Sequence, residues 1–436
     1  MPAEWCRHSV ETLLQQGALL IGDGYRAKNS ELARRGLPFA RAGNINGGFH
    51  FEDADCFPLE HISKCGAKVS QQGDVVFTSK GTVGRFAFVR EDTPQFVFSP
   101  QLSFWRVLDD TLINSRFLYY WMTSREFFLQ FAGVKSQTDM AEYVSLQDQR
   151  HMHITLPPLS EQRAIANVLG TLDDKIELNR RMNATLEEMA RALFHSWFVD
   201  FDPVRAKAEG RQPAGMDAEM AALFPDSFEE TVLGEVPRGW RLGTLGDIAC
   251  QERRSAQPQD TPLGTPYIGL EHMPRKSISL GEWGTSDTVV SQKLWFRQGE
   301  ILFGKLRPYF HKVGVAVVDG VCSTDIVVIA PTTSEWFGLT LEIVSSDDFI
   351  SFVTASSDGT KMPRTRWNDM ASYELVIPPS AIADRFNDLV TQAMTLIRSN
   401  IIQSQVLVAT RDALLPKLLS GEIRVGEAER TVEAVS

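Results

Sequence analysis

Leu156-Pro157-Pro158-Leu159-Ser160-Glu161-Gln162 and, 221 residues later, Ile377-Pro378-Pro379-Ser380 mark the same event twice. In each, an apolar run stops at two prolines, which cannot extend a strand ladder. A long pattern of helical period then begins, with Ser160 or Ser380 placed to cap it. Outward from these two points the spacing returns. Gly73-Asp74-Val75-Val76-Phe77 recurs as Gly299-Glu300-Ile301-Leu302-Phe303 at an offset of 226, and Ser124-Arg125-Glu126-Phe127-Phe128 as Ser346-Asp347-Asp348-Phe349-Ile350 at 222. Ala192-Leu193-Phe194 recurs as Ala413-Leu414-Leu415 at 221. Four pairs in one order at a nearly constant offset make the chain a degenerate tandem duplication of roughly 220 residues per unit.

Each unit has an α+β module followed by a long helix. Residues 1–157 and 237–379 mix short β-rich runs such as Arg85-Phe86-Ala87-Phe88-Val89 and Asp325-Ile326-Val327-Val328-Ile329 with turns, and Phe117 to Phe131 reads as a helix. Alternating steps of four and three from Ile165 select Leu169, Leu172, Ile176, Asn179, Asn183, Leu186, Ala190, Leu193 and Trp197. The same steps one repeat later select Phe386, Val390, Ala393, Ile397, Asn400, Ser404, Leu407, Arg411, Leu414 and Leu418. Both are heptad seams, apolar at the ends and polar in the middle, with Asn179 and Asn400 at the equivalent position, where a buried amide fixes register at a cost in stability. At about 1.5 Å per residue each helix is about 60 Å long, which suits a spacer better than a domain cover. The expected fold is α+β: two tandem-duplicated modules separated by a long antiparallel two-helix coiled-coil spacer with pseudo-twofold symmetry. Its parts are module 1 (1–157), a central helix (158–198), an acidic connector (199–236), module 2 (237–379), a distal helix (380–424) and a tail (425–436).

At 436 residues, 43% hydrophobic and 23% charged, the chain has an ordinary globular composition and room for two or three domains. Five scattered cysteines make no disulfide framework or zinc knuckle. No apolar stretch reaches the ~18 residues of a membrane span, and a cytoplasmic location is expected. The net charge of −11 argues at first against a phosphate-bearing partner. By segment, however, residues 1–157 carry −1, 237–379 carry −2, 380–436 carry −1 and 158–236 carry −7. The acidity lies in the central helix and connector. The modules are nearly neutral, so contact with DNA would rest on local basic loops.

Leu156 to Ala166, Leu172-Asp173-Asp174-Lys175-Ile176-Glu177-Leu178-Asn179 and Ala192-Leu193-Phe194-His195-Ser196-Trp197-Phe198-Val199-Asp200-Phe201-Asp202-Pro203 closely resemble the central region of type I restriction-modification specificity subunits. Gly299 to Pro308 and Leu414 to Ile423 resemble that family's second target-recognition domain and distal region. The resemblance implies a non-catalytic reader of a bipartite site in double-stranded DNA, with each module reading one half and the paired helices setting the gap. It further implies that the helices dock two methyltransferase subunits, that restriction subunits join the complex, and that S-adenosylmethionine, ATP and Mg²⁺ belong to the partners, leaving no cofactor here. An orphan or antirestriction-type homologue that binds DNA or methyltransferase without supporting restriction is the alternative, and a nuclease with a degenerate site is a more distant one.

Catalytic motifs are absent or broken. Gly299-x-x-x-x-Gly304-Lys305 approximates a P-loop, but Leu306 stands where Mg²⁺ needs a hydroxyl. No Asn/Asp-Pro-Pro-Tyr/Phe holds a target base, His151-x-His153 reads as strand alternation, and Asp200-Phe201-Asp202 reads as a turn. Candidate DNA contacts are the cations and amides of turn-rich segments. In module 2 these are Lys361, Arg364 and Arg366, with Lys305 and Arg307. In module 1 they are Lys135 and Gln137, with Lys80 and Arg85. Arg34-Arg35, Arg253-Arg254 and Arg275-Lys276 read as solvated surface.

Overall fold

The computed structural model describes residues 4–435 apart from Asp53, Thr82, Lys135, Asp139, Met140, Leu233, Asp358, Thr360 and Lys361. The chain forms two compact units, Met1–Lys175 with Val406–Ser436, and Ile176–Gln405. Each long helix contributes one part to each unit.

The first unit is built on a four-stranded antiparallel sheet in the order Leu19–Asp23, Leu102–Val107, Val75–Thr78, Phe86–Phe88. The second unit repeats it as Ala249–Glu252, Ile326–Pro331, Ile301–Gly304, Val313–Val315. Beside each sheet lies a parallel pair, Leu37–Ala40 with Val97–Phe98 in one and Pro266–Ile268 with Gly320–Cys322 in the other. The module ends are tied by Cys6–Ser9 to His153–Leu156 and by Arg241–Thr244 to Glu374–Ile377.

The repeated Gly-Asp/Glu motif explains itself in this setting. Gly73 and Gly299 take φ of 88° and 86°, where a side chain would be strained. The acid that follows accepts the amide three residues back, Gln71 to Asp74 and Arg297 to Glu300, each at 2.8 Å. Each acid also holds an arginine from another strand. Asp74 takes Arg106 through two bonds of 2.7 Å, and Glu300 takes Arg254. The strands that follow are buried on both faces, which is why they read as unbroken apolar runs.

The first long helix runs Leu159–Phe194 and ends in a π-helical turn, His195–Val199; the second runs Ser380–Ser420. Because the first starts at Leu159, Ser160 lies inside its first turn and is not the cap. The Pro158 carbonyl takes the amides of Glu161 and Gln162. Gln162 is itself buried and bonds three backbone groups, Asn114 N–H and the carbonyls of Leu112 and Pro157. Gly421, in the left-handed region, stops the second helix.

In the first unit Ile165, Leu172, Leu407 and Leu414 are buried, and Asp173 accepts from Arg411 at 2.8 Å and from Tyr120 at 2.6 Å. In the second unit Ile397 is buried, and Ile176, Leu186 and Leu193 are half-buried. Here Asn179 Nδ2 reaches the Asn400 carbonyl at 3.3 Å, Gln403 Oε1 at 2.9 Å and Ser404 Oγ at 3.2 Å, while Asn400 donates to Asn183 at 2.9 Å. Phe386 packs on Phe194, Trp197 and Phe198, so the helices run antiparallel.

The acidic connector is itself folded. Helices Asp202–Ala208 and Ala218–Leu223 and the hairpin Phe228–Thr231/Gly234–Pro237 fold onto the second unit, burying Val204, Phe224 and Val236. Its acids are the solvated face of that layer. Asp200-Phe201-Asp202 is a turn with Phe201 at φ 55°. The segment read as a tail holds a helix, Val425–Glu433, with Ala428 and Val432 buried.

Two predictions follow from buried polar groups. Burial pushes Glu342, on helix Phe337–Val344, up to about 7; Arg191 opposes the shift and Glu187 adds to it. With the folded value above the unfolded one, its contribution is complete below about pH 4.5 and is lost as pH rises through about 7, roughly 3 kcal/mol in all. Thermal melts of Glu342→Gln should therefore lack the fall in stability between pH 5 and 8 and lie above the parent at pH 8. Asn179→Asp sets a carboxylate against two acceptor oxygens. It should lower the melting temperature sharply at pH 7 and recover in acid, whereas Asn179→Ser should show no such pH dependence.

Candidate nucleic-acid interface

In the second unit the chain leaves strand Ile301–Gly304 and runs directly into the other basic segment. Arg307 N–H donates to the Pro363 carbonyl at 2.8 Å, Thr365 N–H donates to Lys305 at 3.1 Å, and Leu306 bridges Arg364. Lys305, Arg307, Arg364 and Arg366 thus occupy one pair of bonded loops. Arg364 is about half exposed and meets Asp325 at 3.3 Å. Exposed Arg366 precedes helix Trp367–Ala371 and caps it through its carbonyl. Lys361 lies outside the described residues.

The P-loop resemblance dissolves at the same place. The amides of Gly304 and Lys305 donate to the carbonyls of Lys312 and Asp325, so they form no phosphate cradle.

The first unit makes the same junction with strands. Lys80–Gly81 pairs with Ala141–Tyr143, which pairs with Ser136–Thr138, and Val144 N–H donates to Ser79. Lys80 Nζ lies 5.0 Å from the Tyr143 ring centre, at cation–π distance. Gln137 is in strand Ser136–Thr138, and Lys135 lies outside the described residues. Arg85 is turned to the Ala42 and Ile45 carbonyls, 3.4 Å each, and braces a neighbouring turn.

Of the doublets read as solvated surface, Arg34 and Arg35 are exposed, and Arg254 is taken up by Glu300. Arg275 and Lys276 are exposed as well, but they also lie beside the Lys305–Arg307 loop. Lys276 N–H donates to the His311 carbonyl at 2.9 Å, and the Arg275 guanidinium lies 4.2 Å from the Phe310 ring centre. Lys312, beside them, is held below the usual lysine range by burial and by the charge of Arg275. The doublet has joined the Lys305–Arg307 loop. The Arg307-Pro308-Tyr309-Phe310 run was the available signal, but nothing in sequence spacing links it to residue 275. Among the described residues no cluster of His, Cys, Asp and Glu could hold a metal, and no helix is long and apolar enough to cross a membrane.

Residues 22–188 match the type I restriction modification DNA specificity domain. The chain is 25% identical over 377 residues to the type I restriction enzyme MjaIX specificity subunit of Methanocaldococcus jannaschii, covering 84% of this chain and 81% of that one. It is 26% identical over 408 residues to the HindI specificity subunit of Haemophilus influenzae, covering 82% and 88%. The solved S subunit of a type I restriction-modification system from M. genitalium shares the fold, with a TM-score of 0.56 at 14% identity over 95% of this chain and 96% of that one. Together with the duplicated α+β modules and the paired long helices, these matches make the chain similar, over most of its length, to the specificity subunits of type I restriction-modification systems.

Proposed function

We propose that the chain reads DNA sequence for a type I restriction-modification complex and carries no catalysis of its own. Each module reads one half of a bipartite site in double-stranded DNA. The paired helices set the unread gap and dock two methyltransferase subunits. S-adenosylmethionine, ATP and Mg²⁺ act on the partner subunits, and restriction subunits join through the complex.

The observation that carries this reading is the repeated junction. In both modules the end of the Gly-Asp/Glu strand is bonded to the segment that follows the second module helix, Arg125–Val134 or Asp347–Ala355, and cations lie at that junction. Paired cations and amides on bonded loops suit phosphate positioning and base-edge readout together. Two such junctions in one chain suit two half-sites. With the modules nearly neutral, affinity is weak for the chain alone and strong in the complex.

Mapping methylated adenines in a host carrying the whole system tests the reading. Two half-sites at fixed spacing are expected, lost when this chain is deleted, and co-purification should give two methyltransferases per chain; saturation at one contradicts it. Replacing Lys361, Arg364 and Arg366 together by alanine should weaken DNA binding by the complex and reduce its salt slope by about two to three. Unchanged binding removes that loop from the interface.

A further inference from the structure

Four non-glycine residues among those described have φ in the left-handed region, and three of them, Lys276, Arg307 and His311, meet at one place. Such backbone is costly, persists only where surroundings impose it, and gathers at functional sites. Here the restraints are visible. Arg307 N–H is tied to Pro363, and Lys276 N–H is tied to His311. His311 is buried, with Nε2 2.8 Å from the Ser345 carbonyl and Nδ1 3.3 Å from Asp347.

What these ties hold up is Tyr309, which is 49% exposed between buried Pro308 and half-buried Phe310. Phe310 buttresses it edge-on at 4.9 Å between ring centres and is in turn covered by Arg275. The corresponding turn of the first module uses a glycine, Gly84 at φ 97°, where the second module keeps side chains at a cost. Two of the three strained residues are cations, and the third is the buried brace.

We propose that Tyr309 is a base-stacking residue that wedges at one step of the half-site read by the second module, with Arg275 and Lys276 on the flanking phosphates. This rests on the DNA-reading function proposed above. A fixed aromatic ring between cations has the chemistry of a nucleotide platform, stacking on a base face while charge holds the backbone. A wedge of this kind reads sequence through the ease of unstacking a step, at positions where no base edge is touched.

The test uses the chain assembled with its co-expressed methyltransferase on DNA carrying the mapped site, with 2-aminopurine at successive positions of the second half-site. The wild type should brighten at one step besides the methylated adenine, and Tyr309→Ala should lose that signal only. Tyr309→Ala should bind roughly 5- to 150-fold more weakly with an unchanged salt slope, the fold-change a stacked base is worth, and Tyr309→Phe should retain binding. Lys276→Gly should lower the salt slope by about one without lowering the melting temperature of the free chain, because it relieves strain. A complex that prefers its site, but with Tyr309→Ala equal to wild type in affinity and fluorescence, overturns the stacking role alone. A wild-type complex with no preference for any mapped site overturns the functional reading and this inference with it.

Discussion

The side-chain amide of Asn179, almost wholly buried, donates to Asn400 and to its neighbours Gln403 and Ser404. An apolar seam tolerates slippage by a heptad, because one leucine replaces another with little change in energy. A buried amide does not, since any other register strands its hydrogen bonds in an apolar layer. Asn179 and Asn400 are the same residue of the two repeats, so their meeting in antiparallel helices marks a local dyad of the helix pair. The symmetry is not complete away from it. Asp173 binds Arg411, while the repeat equivalents Met394 and Ala190 are buried and apolar. The duplicated helices have therefore diverged in how they are glued while keeping the contact that sets their alignment.

The parts of this molecule legible in sequence are those set by period and by backbone chemistry. The Gly-Asp/Glu strands, the Pro-Pro breaks and the heptad seams each impose a pattern that survives with little identity between repeats. The repeated acid was legible as a motif, but its work was not, because Arg106 and Arg254 come from other strands. The connector was read as a link from its acids. Its buried residues, Val204, Phe224 and Val236, are too few and too spaced to show a period, and their partners lie elsewhere in the chain.

The candidate interface residues divide in the same way. Lys305, Arg307, Arg364 and Arg366 could be chosen by composition, and the bonded loops bring them together. Arg85 carried the same composition and is exposed, but one nitrogen of its guanidinium lies 3.4 Å from two carbonyls of a neighbouring turn, which composition does not reveal. Arg275 and Lys276 are solvated as read, but they also flank an aromatic tip, which sequence does not show because left-handed backbone leaves no mark on residues that are not glycine. The net charge gives as coarse a view as the doublets did, since an acidic total coexists with cations gathered at single loops.

The make-up of the two units bears on the order in which the protein can be finished on the ribosome. The unit Ile176–Gln405 is one continuous stretch, and all of its core residues precede Val406 in the chain. The other unit has residues on both sides of that stretch. Its share of the second long helix, with buried Leu407, Leu414 and Leu418, is translated after the whole of Ile176–Gln405. Until then the apolar seam of Ile165, Leu169 and Leu172 has no covalent partner to cover it. Of the two units, the one that starts earlier in the chain is the later to close, and through that interval it presents the kind of exposed apolar surface that chaperones bind.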